Sequence, residues 1–192
     1  MKKTLVTSIL AMMMLLLASP GYASVIHLGA NLSGANENPA NASPATGFTF
    51  VDLDTTAHTL HIFIVFSGLL DNTTASHIHC CIAPNGNVGV ATTTPSFAGF
   101  PLGVKAGTYD RTLDLTLASS YNPSFVTAHT DVAGAEAFLS AGLIAGTTYL
   151  NIHSVLFPGG EIRGFLRVPE PATMGLLGLG LVGLLALRRR RS

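Results

Sequence analysis

The stretch Tyr149–Phe165, Y-L-N-I-H-S-V-L-F-P-G-G-E-I-R-G-F, decides how this chain is read. It predicts two short strands joined by a Pro-Gly-Gly turn. In the first strand Tyr149, Asn151 and His153 alternate with Leu150, Ile152 and Ser154, so one face carries polar groups. In the second, Glu161 and Arg163 share a face, with Ile162 opposite. Upstream, Ser76-His77-Ile78-His79-Cys80-Cys81 has the same character, and as a strand it projects His77 and His79 from one face. The expectation is that the two segments lie together and build one polar, histidine-containing site on a β-scaffold.

The remainder of the body supports that scaffold. Val25–Leu32, Thr46–Asp54, Thr59–Phe66, Ala75–Cys81, Val88–Thr92 and Tyr109–Leu117 all read as short strands. In Thr46–Asp54, Phe48, Phe50 and Asp52 fall on one side and Thr49, Val51 and Leu53 on the other. Ser33–Pro39 and Pro84–Asn87 are turn-rich, and the Pro- and Gly-punctuated Thr93–Gly107 reads as an exposed loop. One helix is expected over Asp131–Ile144, capped by Thr130 or Asp131 and ended by Gly146. Its apolar stripe would be Val132, Ala135, Phe138, Leu139, Gly142 and Leu143. About eight short strands and one helix predict an all-β fold, an antiparallel β-sandwich or Greek-key barrel.

The two ends are of another kind. The chain has 192 residues, 48% hydrophobic and only 10% charged. That charged fraction is well below the quarter usual in soluble domains, which points to targeting segments. Lys2 and Lys3 precede the apolar run Leu5–Ala18, and small residues at Gly21 and Ala23 fit a cleavage site before Ser24. Residues 1–23 therefore read as a secretory signal peptide removed by signal peptidase. At the other end, Pro169-Glu170-Pro171 precedes the wholly apolar Met174–Leu187 and then Arg188, Arg189, Arg190 and Arg191. A helix over Met174–Leu187 would span about 21 Å at 1.5 Å per residue. The long arginine stems reaching the headgroups shorten the gap to a bilayer core. The basic cluster stays cytoplasmic, so the body lies across the membrane. With both ends set aside, Ser24–Val168 keeps four basic residues against nine acids, a net charge of −5. A nucleic-acid surface is thereby disfavoured.

This tail resembles the PEP-CTERM sorting tails of Gram-negative bacteria, matching their order of Pro-Glu-Pro, apolar helix and arginine cluster. The resemblance implies a transient stay at the inner membrane and cleavage near the tripeptide by an exosortase-type enzyme. Delivery to the cell surface or extracellular matrix follows. A permanent single-span anchor is the alternative reading of residues 169–192.

Two histidines two apart on a strand are a recurring metal-binding arrangement, because both imidazoles face the same way. His153 is a candidate third ligand, with Asn151, Glu161 and Arg163 as supporting groups. The competing reading has these histidines hydrogen-bonded in a polar layer that holds loops in place. Adjacent Cys80 and Cys81 leave three states open: a vicinal disulfide, an intermolecular disulfide, or free thiols near His79. The chain has no G-x-S-x-G elbow, no CxxC pair and no phosphate-cradling glycine loop.

Leu32–Pro39 (L-S-G-A-N-E-N-P), Ser76–Cys81, Tyr149–Ser154 and Phe157–Gly164 (F-P-G-G-E-I-R-G) together resemble the CHRD domain, named for chordin, over residues 24–168. The resemblance implies a non-catalytic extracellular module with a sandwich similar to Cu/Zn superoxide dismutase. That comparison suggests copper or zinc, though only His77, His79 and His153 match the dismutase ligands in kind. The function expected first is an exported surface or matrix protein with a binding or structural role, whose partners include extracellular polysaccharide or surface proteins. The alternative is a metal-binding protein with a dismutase-like site.

Overall fold

The computed structural model describes residues 25–169. Residues 1–24, which include the expected signal peptide, and the tail from Glu170 onward, including Arg188–Arg191, lie outside the described residues. Among the described residues no helix is long and apolar enough to cross a membrane.

Seven strands form one antiparallel sheet: β1 (Ile26–Ser33), β2 (Thr46–Asp54), β3 (Thr59–Ser67), β4 (Thr73–His79), β5 (Gly107–Asp114), β6 (Tyr149–Ser154) and β7 (Ile162–Phe165). Their order is β4-β6-β7-β1-β2-β3-β5. The sheet curls, and segment 103–105, just before β5, returns to the start of β4. There Thr73 N donates to Val104 O (2.8 Å) and Gly103 N to Thr73 O (2.9 Å). The all-β, barrel-like architecture expected from the strand pattern is therefore present.

Period-two alternation gives the sheet its two faces. Leu28, Leu32, Val51, Leu53, Leu60, Ile62, Ile64, Ile78, Leu150, Ile152 and Ile162 all point inward and are fully buried. Each contributes roughly 1.5–3 kcal/mol by leaving water. Two helices help close this core, α1 (Pro123–Ala128) and α2 (Val132–Ile144). Asp131 caps α2, its side chain accepting from Gly134 N at 2.8 Å. Ala135, Leu139, Gly142 and Leu143 are buried, and Gly146 at φ +66° follows the last turn. Phe138, expected in the apolar stripe, is instead 44% exposed.

Some expectations need correction. Thr93–Gly107 is not an exposed loop throughout, because Phe97 and Phe100 turn into the core and stack on Tyr109 and Phe66. Val88–Thr92 is not a strand. It contributes isolated bridges, His79 to Val90 and Thr92 to Tyr121, because its backbone bonds alternate between β4 and the 120–122 turn. Helix α1 was not foreseen, although Asn122 capping Ser124 N and Pro123 at the first position are ordinary start signals.

The Phe157–Gly164 motif has a packing role. At Gly164 a Cβ would come within 2.5 Å of Asn31 O and 2.9 Å of Ala30 Cβ, so β7 approaches β1 only through a bare α-carbon.

Candidate metal centre

The outward face of β4, β6 and β7 carries the polar residues. Register places Asn151 opposite His77 on β4 and opposite Arg163 on β7, with His153 opposite Ala75 and Tyr149 opposite His79. The two predicted segments are thus neighbouring strands. Three coverings shield this half of the face from water: the 34–41 loop, the 82–90 loop and the 155–161 turn. As a result His77, His79 and His153 are only 7%, 9% and 9% exposed although they lie on the outer face of the sheet.

The three imidazoles converge. Ring centroids are 5.0 Å apart for His77–His79, 4.7 Å for His77–His153 and 6.4 Å for His79–His153. One potential ligand nitrogen from each lies within 4.8 Å of the others. His79 Nδ1 is 2.6 Å from Val88 O, so a neutral ring donates there and leaves Nε2 as a lone pair. That Nε2 is buried without a partner, as is His77 Nδ1. His153 Nδ1 lies 2.9 Å from Pro158 O, while its Nε2 faces the Asn151 side-chain oxygen at 3.1 Å. A neutral imidazole donates through one nitrogen only, so one of these two contacts sets acceptor against acceptor. A cation on Nε2, or half a turn of the Asn151 amide, resolves it. Carbonyl oxygens backing Nδ1 of two rings are the outer contacts that fix ligand tautomers in metal sites.

Electrostatics keep the rings neutral. Burial lowers the pKa of all three, and His77 falls to about 3 through burial and then its two histidine neighbours. Neutral imidazole is the form that binds metal.

The supporting residues divide. Asn151 is at the centre. Arg163 is adjacent: its guanidinium stacks over Tyr149 (4.7 Å to the centroid), and Tyr149 stacks on His79. Arg163 also donates to Asn36 O, to Gly86 O (3.1 Å) and to Asn87 Oδ1 (2.8 Å), clamping two of the covering loops. Glu161 does not join the histidines. Its Oε1 instead accepts from Ser43 Oγ and Leu70 N, each at 2.7 Å, because it precedes β7 at the end of the sheet. Cys80 and Cys81 have their sulfurs paired with each other and packed against Gly142 and Phe138 O of α2, away from the imidazoles.

Sequence reasoning missed Glu37, which read as a turn residue in L-S-G-A-N-E-N-P. It is buried, with Oε2 3.7 Å from Arg163 Nε and Oε1 unpartnered. Burial raises its pKa to about 7 against the pull of Arg163. Gly160 at φ +128° makes room for it, since a Cβ there would lie 2.6 Å from Glu37 Oε1 and 3.0 Å from Asn151 Nδ2.

A family model of the CHRD domain matches residues 28–166. The chain belongs to the CHRD-domain family. A second model, the PEP-CTERM protein-sorting motif, matches residues 167–191 directly behind the CHRD domain. No curated protein and no solved structure matches the chain. The CHRD match includes every residue of the three-histidine group, both strands of the Tyr149–Phe165 hairpin and Glu37. The two matches together describe an exported protein that passes the membrane and is processed by an exosortase-type enzyme.

These shifts give the CHRD domain a defined pH response. The three histidines protonate near 6.5 when unfolded and lower when folded, so they remove stability as pH falls below about 6.5. Glu37 acts in the opposite sense, adding stability as pH falls from about 7 toward its ordinary 4.5. Asp54 and Asp114, held low by backbone and side-chain hydrogen bonds respectively, act below that window. Three groups outweigh one, so the metal-free domain loses stability between about pH 6.5 and 4.5. Urea midpoints across that range measure it, and His77→Gln flattens the slope by removing one of the three.

Proposed function

We propose that this is an exported surface protein whose CHRD domain binds one transition-metal ion, copper or zinc, through His77, His79 and His153. The observation that carries the reading is the pair of buried, unpartnered imidazole nitrogens on converging rings, His79 Nε2 and His77 Nδ1, with His153 as a third ring beside them. Leaving such groups dry and unpaired costs about 1–3 kcal/mol each, which a bound ion removes. Imidazole sets suit copper and zinc rather than magnesium or calcium. His77, His79 and His153 would hold the ion through neutral imidazole nitrogens, and bonds of about 2.0–2.1 Å would require the rings to close in from separations of up to 4.8 Å. Cys80 and Cys81 supply no ligand in this arrangement. The export signal, cleavage near Pro169–Pro171 and delivery to the surface or matrix complete the reading. Extracellular polysaccharide and surface proteins are its candidate partners.

Native mass spectrometry of the mature chain titrated with Cu(II) or Zn(II) tests it. One ion per chain is expected, lost in His79→Ala and in His153→Ala. A folded chain that takes up no ion, or one that binds equally after these substitutions, overturns the proposal.

A further inference from the structure

The outer face of the sheet has a second half. Over β4, β6 and β7 it is polar and covered, whereas β2 and β3 carry an apolar patch, Phe48, Phe50, Phe63 and Val65, between the polar rows His27–Asp52–His61 and Ser33–Thr46–Ser67. Phe50 is flanked by Gly29 on β1 and Phe63 on β3, and Phe48 by Asn31 and Val65. Phe50 is 49% exposed and Val65 41%, and the Phe48 ring stands edge-on to Phe50 at 4.2 Å. Because Gly29 has no side chain, the Phe50 ring lies open beside β1. Phe48, Phe50, Phe165, Arg167, Val168 and Pro169 line one open depression of about 450 Å³. Aromatic side chains beside an exposed arginine are the composition of a membrane-interface surface.

Pro169 lies in the depression, and only residues 170–173 separate it from the apolar run that begins at Met174. Five Cα steps reach at most about 18 Å. Whenever Met174–Leu187 is in the bilayer, the depression therefore stays within about 18 Å of where that segment enters it. Such a tether raises the local lipid concentration enough for a shallow apolar contact to form. The nearest carboxylates, Asp52 and Asp110, each hydrogen-bond a histidine, His27 and His61, at 2.8 Å.

We propose that the Phe48–Phe50–Phe63–Val65 face is a lipid-docking surface, seated on the outer leaflet of the membrane while the tail is inserted and released when the tail is cut. Docking fixes the domain's orientation and presents residues 169–171 at a set height above the lipid. Ser33 pairs with Arg163 at the start of β7, so the 155–161 turn lies at the other end of β7 from Pro169.

The chain has no tryptophan, so one introduced residue reports alone. The full mature chain carrying Phe50→Trp is reconstituted in phosphatidylethanolamine–phosphatidylglycerol vesicles with brominated acyl chains. Leu156→Trp, an exposed site at the far end, is the reference. Phe50→Trp is expected to be quenched several-fold more than Leu156→Trp, with Phe48→Trp behaving like Phe50→Trp. A chain ending at Pro169 is expected to lose the quenching. Equal quenching at positions 50 and 156 would overturn the proposal. So would shielding of Phe50→Trp that follows protein concentration without vesicles, which would assign the face to a second copy of this chain. Neither result bears on metal uptake.

Discussion

Arg163→Met lowers the stability of the CHRD domain by about 3–5 kcal/mol, the usual cost of removing one partner from a buried charged network. Arg163 is 1% exposed and spans β7, the 34–41 loop and the 82–90 loop. Its loss leaves the acceptors Asn36 O, Gly86 O and Asn87 Oδ1 unpaired and Glu37 without its cation. Glu37 then rises further above about 7 and folds only as the neutral acid, so the deficit widens as pH rises past neutrality. Adding Glu37→Gln recovers part of the loss, and the double-mutant cycle reads the coupling. Urea unfolding at pH 6 and pH 8 measures both effects. A loss below about 1 kcal/mol would mean that the loops over the histidines are held by something other than this guanidinium.

A second large effect comes from the ion itself. At free metal one hundred times the dissociation constant, binding adds about 2.7 kcal/mol to folding, which for a domain of this size raises Tm by about 5–10 °C. The rise should shrink as pH falls toward the range where the imidazoles take up protons. In His77→Ala, His79→Ala and His153→Ala it should vanish. The metal-free variants should be no less stable than the metal-free parent at low pH, since each lacks a buried ring that resists protonation. A thermal scan with and without chelator reads all of this. A Tm unmoved by copper or zinc in the parent chain would remove the metal and leave the histidines as loop supports.

How far the chain disclosed this arrangement varies from element to element. Strand β2 was legible to the residue, because Phe48-Thr49-Phe50-Val51-Asp52-Leu53 alternates without interruption. Alternation alone does not say which side is inside. The phenylalanines, larger and more apolar than Thr49, face out, because the core side must also hold Val51 and Leu53. The His77–His153 encounter was legible because two histidine-bearing strands with the same polar periodicity had to share a sheet. Glu37 was not legible, since a glutamate between two asparagines has no period, and its burial comes from Gly160 and Arg163 more than a hundred residues away. Glu161 was misread for the converse reason. Its parity matches Arg163, but it stands one residue before β7, where Ser43 and Leu70 capture its carboxylate. Thr93–Gly107 misled through its prolines and glycines, which mark turns but do not stop Phe97 and Phe100 from entering the core.

The central claim is that three imidazoles from two adjacent strands hold one ion. X-ray absorption on the copper- or zinc-loaded mature chain tests it most directly. The account predicts a first shell containing three imidazole nitrogens at about 2.0 Å, abolished when His77, His79 and His153 are replaced together by alanine. A loaded chain whose metal shell lacks imidazole scattering, or keeps it in the triple variant, would contradict the account.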